Sequence, residues 1–284
     1  MLLRRDICLG GMARLVPGSE GHGLDLAGQL ALLRRHGFAG VVAWDGWEAI
    51  RAAGLIPCGM ARIRAPEEAL PLARRHADAG LDFTTLHVGT GFESDAAMAR
   101  LAEAVCDAAA ITGHPLPVET HRATMTQDIR RTLDLVALFP QLTFTLDFSH
   151  WYTGHEMTYG GEFPERLAWC DPVFARVAGL QLRFGTSGAI QRPLDPASAH
   201  FADHCAALDR CLAVRRASPD LPPVLSVAPE LLPAWLGEGP EARPIHYADQ
   251  TETSDRFAEA LALSALAQAR AERLDGADRK GARG

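Results

Sequence analysis

The sequence has few features of membrane, secreted or nucleic-acid-binding proteins. No apolar run approaches the ~18 residues that cross a bilayer, and the first residues lack the apolar core of a signal peptide. The chain has 28 lysine and arginine residues against 35 aspartate and glutamate residues, a net charge of −7. Non-specific binding of nucleic acid needs a basic face instead. We therefore expect a cytoplasmic protein that binds neither membranes nor nucleic acid.

The six cysteines form no C-x-x-C pair and no spacing typical of a metal site. Several lie inside apolar runs, which favours buried free thiols in a reducing compartment. The chain also lacks a G-x-G-x-x-G fingerprint after its first predicted strand, where only Gly10 and Gly11 occur. This absence disfavours an open, doubly wound dinucleotide-binding sheet.

What the chain does have is a regular alternation of strand-like and helical segments. Hydrophobic residues make up 48% of its 284 residues, enough for one large core. Eight short apolar runs, from Arg5–Leu9 to the run that contains Glu230, are each followed by a helical pattern. Such alternation predicts a parallel sheet, and the length matches a one-domain barrel of roughly 250 residues. We predict an α/β fold, a single (β/α)8 TIM barrel over residues 1–277, with a flexible tail at 278–284.

Three local predictions concern the segments around the barrel mouth. Thr126 is expected to cap the helix after the fifth strand. Residues 151–163 are expected to form a long loop. Residues 233–252, rich in proline and glycine, are expected to form another loop at the mouth.

Four of the predicted strands carry a polar residue near their C-terminal ends: Glu119, Asp147, Gln181 and Glu230. The strand period of two places these residues on the barrel-facing side, whereas their neighbours on the other face are apolar. Three acids would then converge, and like charges in a low dielectric need compensation. A divalent cation would supply it, and the alternative is ordinary salt bridges with arginine or lysine.

Three segments resemble the xylose-isomerase-like barrel superfamily, and its sugar-phosphate isomerase/epimerase branch in particular: 86–91 (LHVGTG), 118–122 (VETHR) and 146–151 (LDFSHW). The resemblance implies a divalent metal held by Glu, Asp, His and a second Glu from strands five to eight. Glu119, Asp147 and Glu230 match this pattern, and Gln181 stands where His is expected. Three carboxylates and an amide form an all-oxygen set, which favours Mn²⁺ or Mg²⁺ over Zn²⁺.

The predicted roles follow from the faces that these residues share. Glu119 and Glu230 are predicted to be bases as well as ligands, and His150 to bind a substrate oxygen or to shuttle a proton. The predicted substrate contacts are His87, His121, Arg122, Arg183 and Trp151. Arg183 has two open interpretations: it clamps a carboxylate or phosphate of the ligand, or it neutralises Glu230 or Asp147 and leaves no metal.

The leading functional hypothesis is a metal-dependent isomerase or epimerase. It would act on a sugar, a sugar phosphate or a related polyol ketone through an enediolate. One alternative is a lyase that dehydrates a keto-polyol or cyclic keto acid on the same site. Another is a metal-free ligand-binding barrel that has lost activity. The expected partner is a small carbohydrate-like molecule, and the resemblance also suggests a homo-oligomer.

Overall fold

Eight parallel strands form a closed barrel in the computed structural model, which describes residues 1–218, 220–236, 243–244 and 252–281. Each strand pairs with the next, and β8 pairs with β1 to close the barrel. The strands are β1 Leu2–Cys8, β2 Gly40–Ala43, β3 Ile56–Ile63, β4 Thr84–Val88, β5 Val118–Glu119, β6 Phe144–Asp147, β7 Val177–Leu182 and β8 Val224–Pro229. The predicted (β/α)8 barrel is confirmed.

Helices follow every strand of the barrel. They are α1 Leu26–Arg35, α2 Trp47–Ala52, α3 Ala69–Asp78, α4 Asp95–Thr112, α5 Ile129–Leu138, α6 Phe148–Gly154, α7 Phe163–Trp169, α8 Asp171–Phe174, α9 Ala199–Arg216 and α10 Arg256–Gly281. Among the residues described, no helix is both long enough and apolar enough to cross a membrane.

The boundaries of α4 illustrate how local sequence sets the elements. Ser94 precedes the helix, and its side chain accepts a hydrogen bond from the backbone N–H of Ala97 at 3.3 Å. Gly113 ends the helix in the left-handed region, with a φ of 68°. A serine N-cap and a glycine C-cap satisfy backbone groups that have no partner within the helix. These two caps fix the helix at Asp95–Thr112.

The two faces of the strands pack as the alternation predicts. Val118, Leu146 and Leu180 belong to one large buried cluster together with Leu101 of α4 and Leu208 of α9. A separate buried cluster contains apolar side chains from the alternate face of several strands: Cys8, Val42, Cys58, Met60, Phe83 and Ala228. The outer face thus packs on helices, and the inner face fills the barrel.

Two of the local predictions are wrong. Asp128, not Thr126, caps α5, because its carboxylate accepts a hydrogen bond from the backbone N–H of Arg131 at 2.7 Å. Residues 151–154 belong to α6, which begins directly after β6 because Asp147 itself caps it, accepting from the backbone N–H of Ser149 at 3.0 Å. The rest of the predicted loop contains turns and a short 3-10 helix at Tyr159–Gly161.

Two C-terminal segments complete the chain. The predicted loop at 233–252 includes an antiparallel pair of short strands, β9 Trp235–Leu236 and β10 Arg243–Pro244, and its residues 237–242 and 245–251 lie outside the described residues. Helix α10 continues beyond residue 277 to Gly281, into the segment predicted to be a tail, and residues 282–284 of that segment lie outside the described residues.

Candidate active site

A cavity of about 930 Å³ opens among the loops that follow the barrel strands. Seven of the predicted site residues line it: His87, Glu119, His121, Arg122, His150, Arg183 and Glu230. Asp147 is fully buried and lies against His150 and Arg183. The structure thus brings most of the predicted site into one place, as expected for groups that follow the C-terminal ends of barrel strands.

The two carboxylates on β5 and β6 form the centre of this site. Glu119 Oε2 lies 3.0 Å from His87 Nε2. His150 Nε2 lies 4.0 Å from Glu119 Oε1 and 3.6 Å from Asp147 Oδ2. Both carboxylates have an exposed fraction of 0%. Glu119 Oε1 and Asp147 Oδ2 accept no hydrogen bond from any described residue, although a buried acceptor normally has a donor.

Three imidazole rings form a row along this side of the cavity. The ring centroids of His87 and His121 are 4.6 Å apart, and those of His121 and His150 are 3.9 Å apart. Burial and the two neighbouring rings hold the pKa of His121 well below its ordinary value. Burial alone would lower the pKa of His87 as well, but the charge of Glu119 outweighs it and raises that pKa. The middle ring is therefore neutral, while the ring beside Glu119 favours the charged form.

Arg183 bridges the other two acids of the site. Its Nη2 lies 2.5 Å from Glu230 Oε2 and 3.0 Å from Asp147 Oδ2. Burial opposes the charge of Arg183, but Asp147 and Glu230 outweigh it and raise the pKa of the guanidinium. Burial, together with the charges of Glu119 and Asp147, raises the pKa of Glu230 to about 7, against the influence of Arg183. Of the two interpretations of Arg183, the structure thus supports part of the second, in which Arg183 neutralises Glu230 or Asp147.

No protein-family model and no curated protein matches this sequence, but solved structures do. A xylose isomerase-like TIM barrel protein from Mycobacterium smegmatis, in complex with magnesium, has 12% identity and a TM-score of 0.56 over 95% of this chain and 97% of its own. A sugar phosphate isomerase/epimerase from Parabacteroides distasonis has 13% identity and a TM-score of 0.53 over 94% of each chain. A probable 3-DHS dehydratase from Bacillus anthracis has 12% identity and a TM-score of 0.54 over 80% of this chain and 92% of its own. The chain shares the (β/α)8 barrel fold of these proteins.

At these identities the likeness concerns the fold alone, so the chemistry of the site depends on the side chains of this barrel. The described residues contain two groups of side chains whose ligand atoms are close enough together to share a metal ion. One is Glu119, Asp147 and His150, and the other is His87, Glu119 and His121. Glu230 belongs to neither group.

The first group fits a small divalent ion. Donor atoms on such an ion are roughly 3–4 Å apart when each is about 2.1 Å from it, which matches the 3.6 and 4.0 Å separations from His150 Nε2. Glu119 Oε1 and Asp147 Oδ2, which accept no hydrogen bond from the described residues, belong to this group, and Asp147 Oδ2 also lies 3.0 Å from Arg183 Nη2. The fit therefore involves two carboxylates and an imidazole, in contrast to the four-residue oxygen set that the sequence predicts.

Strand register determines what Gln181 and Arg183 contact: Gln181 is level with Asp147 of β6. Gln181 is level with Ala228 of β8, two residues before Glu230, and Leu182 is level with Pro229. Arg183 consequently reaches Glu230, whereas the Gln181 amide donates to Cys8 Sγ at 3.7 Å, inside the barrel. Gln181 is not among the residues that line the cavity.

The structure also does not support a substrate contact for Trp151. Its exposed fraction is 0%, and its indole N–H donates to the backbone carbonyl of Thr126 at 2.8 Å. Thr126 in turn donates from its hydroxyl to the backbone carbonyl of Glu119 at 2.5 Å and accepts from the N–H of His121 at 3.0 Å. Trp151 and Thr126 therefore support the end of β5 from behind.

Sequence reasoning missed several cavity residues: Arg14 after β1, Trp44 and Asp45 after β2, and Arg62 at the C-terminal end of β3. A signal for Arg62 was available. Cys58, Met60 and Arg62 alternate along β3, so Arg62 shares the inward face of that strand at its C-terminal end. The rule applied to the acids of strands five to eight would have found it.

Proposed function

We propose that the chain is a metal-dependent isomerase or epimerase that moves a proton next to the carbonyl of a carbohydrate-like substrate. The observation that carries the proposal is the buried oxygen Glu119 Oε1, which accepts no hydrogen bond from the described residues and lies 4.0 Å from His150 Nε2 at the cavity. Burying a carboxylate oxygen without compensation is costly. Asp147 Oδ2 lies 3.6 Å from the same His150 nitrogen, and its contact with Arg183 at 3.0 Å compensates its charge only in part because Arg183 is shared with Glu230. A cation bound among these three side chains would supply the missing compensation.

Glu119, Asp147 and His150 would hold the ion. We propose Mn²⁺ or Mg²⁺, because carboxylate oxygens make up two of the three protein donors. When bound, the ion polarises a substrate carbonyl and stabilises the negative charge that develops on it.

The remaining residues of the site either transfer a proton or hold the other side chains in position. Glu230 lines the cavity outside the donor group, so its carboxyl is available to take a proton from the substrate and return it. Arg183 holds Glu230 through its guanidinium contact at 2.5 Å. His87 holds Glu119 in the same way at 3.0 Å. Ser149 fixes Asp147, because its hydroxyl and its backbone N–H both contact Asp147 Oδ1.

Titration of Mn²⁺ into the metal-stripped protein, followed by water-proton relaxation, tests the donor set. We expect Glu119→Gln and Asp147→Asn to abolish saturable binding. Glu230→Gln should retain it, and Asp45→Asn serves as the matched control because it removes a cavity carboxylate outside the group. Loss of binding in Glu230→Gln as well would favour the four-residue set predicted from sequence. Absence of binding in the unmodified protein would favour a metal-free ligand-binding barrel.

Exchange of solvent deuterium into a panel of ketoses tests the reaction itself. Glu230→Gln should slow the exchange by about 10²-fold or more, as expected for the loss of a general acid–base group, without changing Mn²⁺ affinity. A product that has lost water would instead identify a lyase. An unmodified protein that binds Mn²⁺ but exchanges no proton in any ketose would contradict the proposal.

A further inference from the structure

The rim of the cavity carries more positive charge than the chain as a whole. Four arginines line the cavity, Arg14, Arg62, Arg122 and Arg183, against three acids, Asp45, Glu119 and Glu230. The whole chain carries a net charge of −7. With the buried Asp147, which Arg183 also contacts, the site is balanced in charge, whereas the whole chain is acidic. Arginines gathered at a concave site attract a ligand of opposite charge.

Two of these arginines lack an acidic partner. Arg183 is bridged to Asp147 and Glu230. By contrast, no carboxylate oxygen of a described residue lies within 4.0 Å of the guanidinium of Arg62 or Arg122. Arg62 has one side-chain contact, from Nη2 to His87 Nδ1 at 3.4 Å. Both side chains therefore face the cavity with their charge uncompensated by the described protein.

The positions of Arg62 and Arg122 connect them to the reacting centre. Arg62 of β3 is in register with His87 of β4, and His87 contacts Glu119 of β5 at 3.0 Å. Arg122 follows His121, whose ring packs between those of His87 and His150. Burial and the nearby positive charge of Arg183 lower the pKa of Arg122. The guanidinium groups of Arg122 and Arg183 therefore repel each other. A ligand anion beside Arg122 would relieve this repulsion.

We propose that the substrate carries an oxyanion, either a carboxylate or a phosphate, and that Arg62 and Arg122 bind it at the rim of the cavity. A guanidinium presents N–H donors in a planar fork that matches both groups. The substrate class would then be a sugar acid or a sugar phosphate, rather than a neutral sugar. This inference rests on the proposed function only for the identity of the site, since it concerns binding and not the reaction.

Calorimetric or NMR titration with three probes tests the proposal at constant ionic strength. The probes are D-glucuronate, D-glucose 6-phosphate and D-glucose, which share a ring and differ in the charged group. We expect at least one anion to bind roughly tenfold or more tightly than glucose, the gain of one charge-assisted contact pair. The anion that gains affinity distinguishes a carboxylate site from a phosphate site.

Matched variants assign the preference to the two arginines. Arg62→Gln and Arg122→Gln should each reduce anion affinity, and the double variant should bind the anion no better than glucose. Arg64→Gln removes the same charge from an exposed residue just beyond β3 that does not line the cavity, and should leave the preference intact.

Three results would overturn the proposal: glucose binding as tightly as both anions, no anion binding up to about 20 mM, or a preference that persists in the double variant. Equal loss of the preference in Arg64→Gln would also overturn it, because it would show that the anion responds to the overall electrostatic potential and not to contacts with Arg62 and Arg122. These titrations need no turnover, so the anion preference can fail while deuterium exchange succeeds, and the reverse.

Discussion

At the scale of single residues, Arg183 decides how the acids of the site are held. Its guanidinium contacts one oxygen of Asp147 and one of Glu230, and its exposed fraction is only 5%. A buried ion pair contributes little by itself, because desolvation offsets the attraction. Removal of one partner, however, leaves a buried charge uncompensated. Arg183 is therefore expected to matter most for keeping its two acids ionised and in place.

We expect Arg183→Met to lower the free energy of unfolding at neutral pH by about 3–5 kcal/mol, the cost of breaking a buried pair. The reason is that Asp147 and Glu230 are left in a dry environment without a counter-charge. Urea unfolding at pH 7 measures the change. The Glu230→Gln variant and the double variant Arg183→Met, Glu230→Gln complete a double-mutant cycle.

The double variant Arg183→Met, Glu230→Gln should be more stable than Arg183→Met alone. Burial already raises the pKa of Glu230 to about 7 beside Arg183, so without Arg183 this carboxyl must either stay charged in a dry site or take up a proton, and glutamine does neither. Simple additivity of the two single changes would show that the Arg183–Glu230 contact at 2.5 Å carries no coupling.

At the scale of elements, the sequence specifies which face of a strand a residue lies on better than it specifies the stagger between neighbouring strands. The period of two placed Glu119, Asp147, Gln181 and Glu230 on the barrel-facing side, because that assignment needs only local alternation. In the structure Glu119 and Glu230 line the cavity, and Gln181 donates to Cys8 inside the barrel. Which of them meet depends on the stagger between strands. Gln181 is level with Asp147 on one side and with Ala228 on the other. This stagger is a property of barrel closure and leaves no local signal in the chain.

A similar contrast between local and tertiary information holds for Thr126 and Asp128, which both precede α5. Thr126 and Asp128 are both acceptable N-caps by type, so composition alone does not decide between them. The structure uses Asp128 as the cap and Thr126 as a hydrogen-bonding support for the end of β5. The choice depends on tertiary contacts with Glu119 and His121, which lie outside the helix.

This division of roles predicts a separation of stability from activity. Asp128→Ala should cost about 1 kcal/mol of stability, the usual cost of losing an N-cap, and leave deuterium exchange unchanged. Thr126→Val should cost stability too, and should also slow the exchange, because it releases the carbonyl of Glu119 and the N–H of His121. Thermal or urea unfolding, alongside the exchange assay, checks both. Equal effects of the two variants on exchange would contradict the assigned roles.

At the scale of the whole molecule, the thiols report how completely the barrel and its helices exclude water. All six cysteines are free and buried, with exposed fractions between 0% for Cys58 and 8% for Cys106. Burial raises the pKa of every one of them, to about 11 for Cys106 and about 12 for Cys170. Because the thiolate is the reactive form, both access and ionisation protect these side chains in the folded chain.

We expect the native protein to react with a disulfide reagent such as DTNB at least about a thousandfold more slowly than the denatured chain, because reaction requires opening of a structure stabilised by several kcal/mol. The denatured chain should release six equivalents at once, one per cysteine. Ala27→Cys, at an exposed position of α1, provides the control and should add a single fast equivalent.

Cys106 and Cys205, on the helices α4 and α9, should react before the barrel cysteines Cys8 and Cys58 as denaturant is raised, because the strands are covered on both faces. Rapid labelling of Cys8 in the native state would mean that the barrel interior is open to solvent, and the burial of the carboxylates above it would then lose its basis.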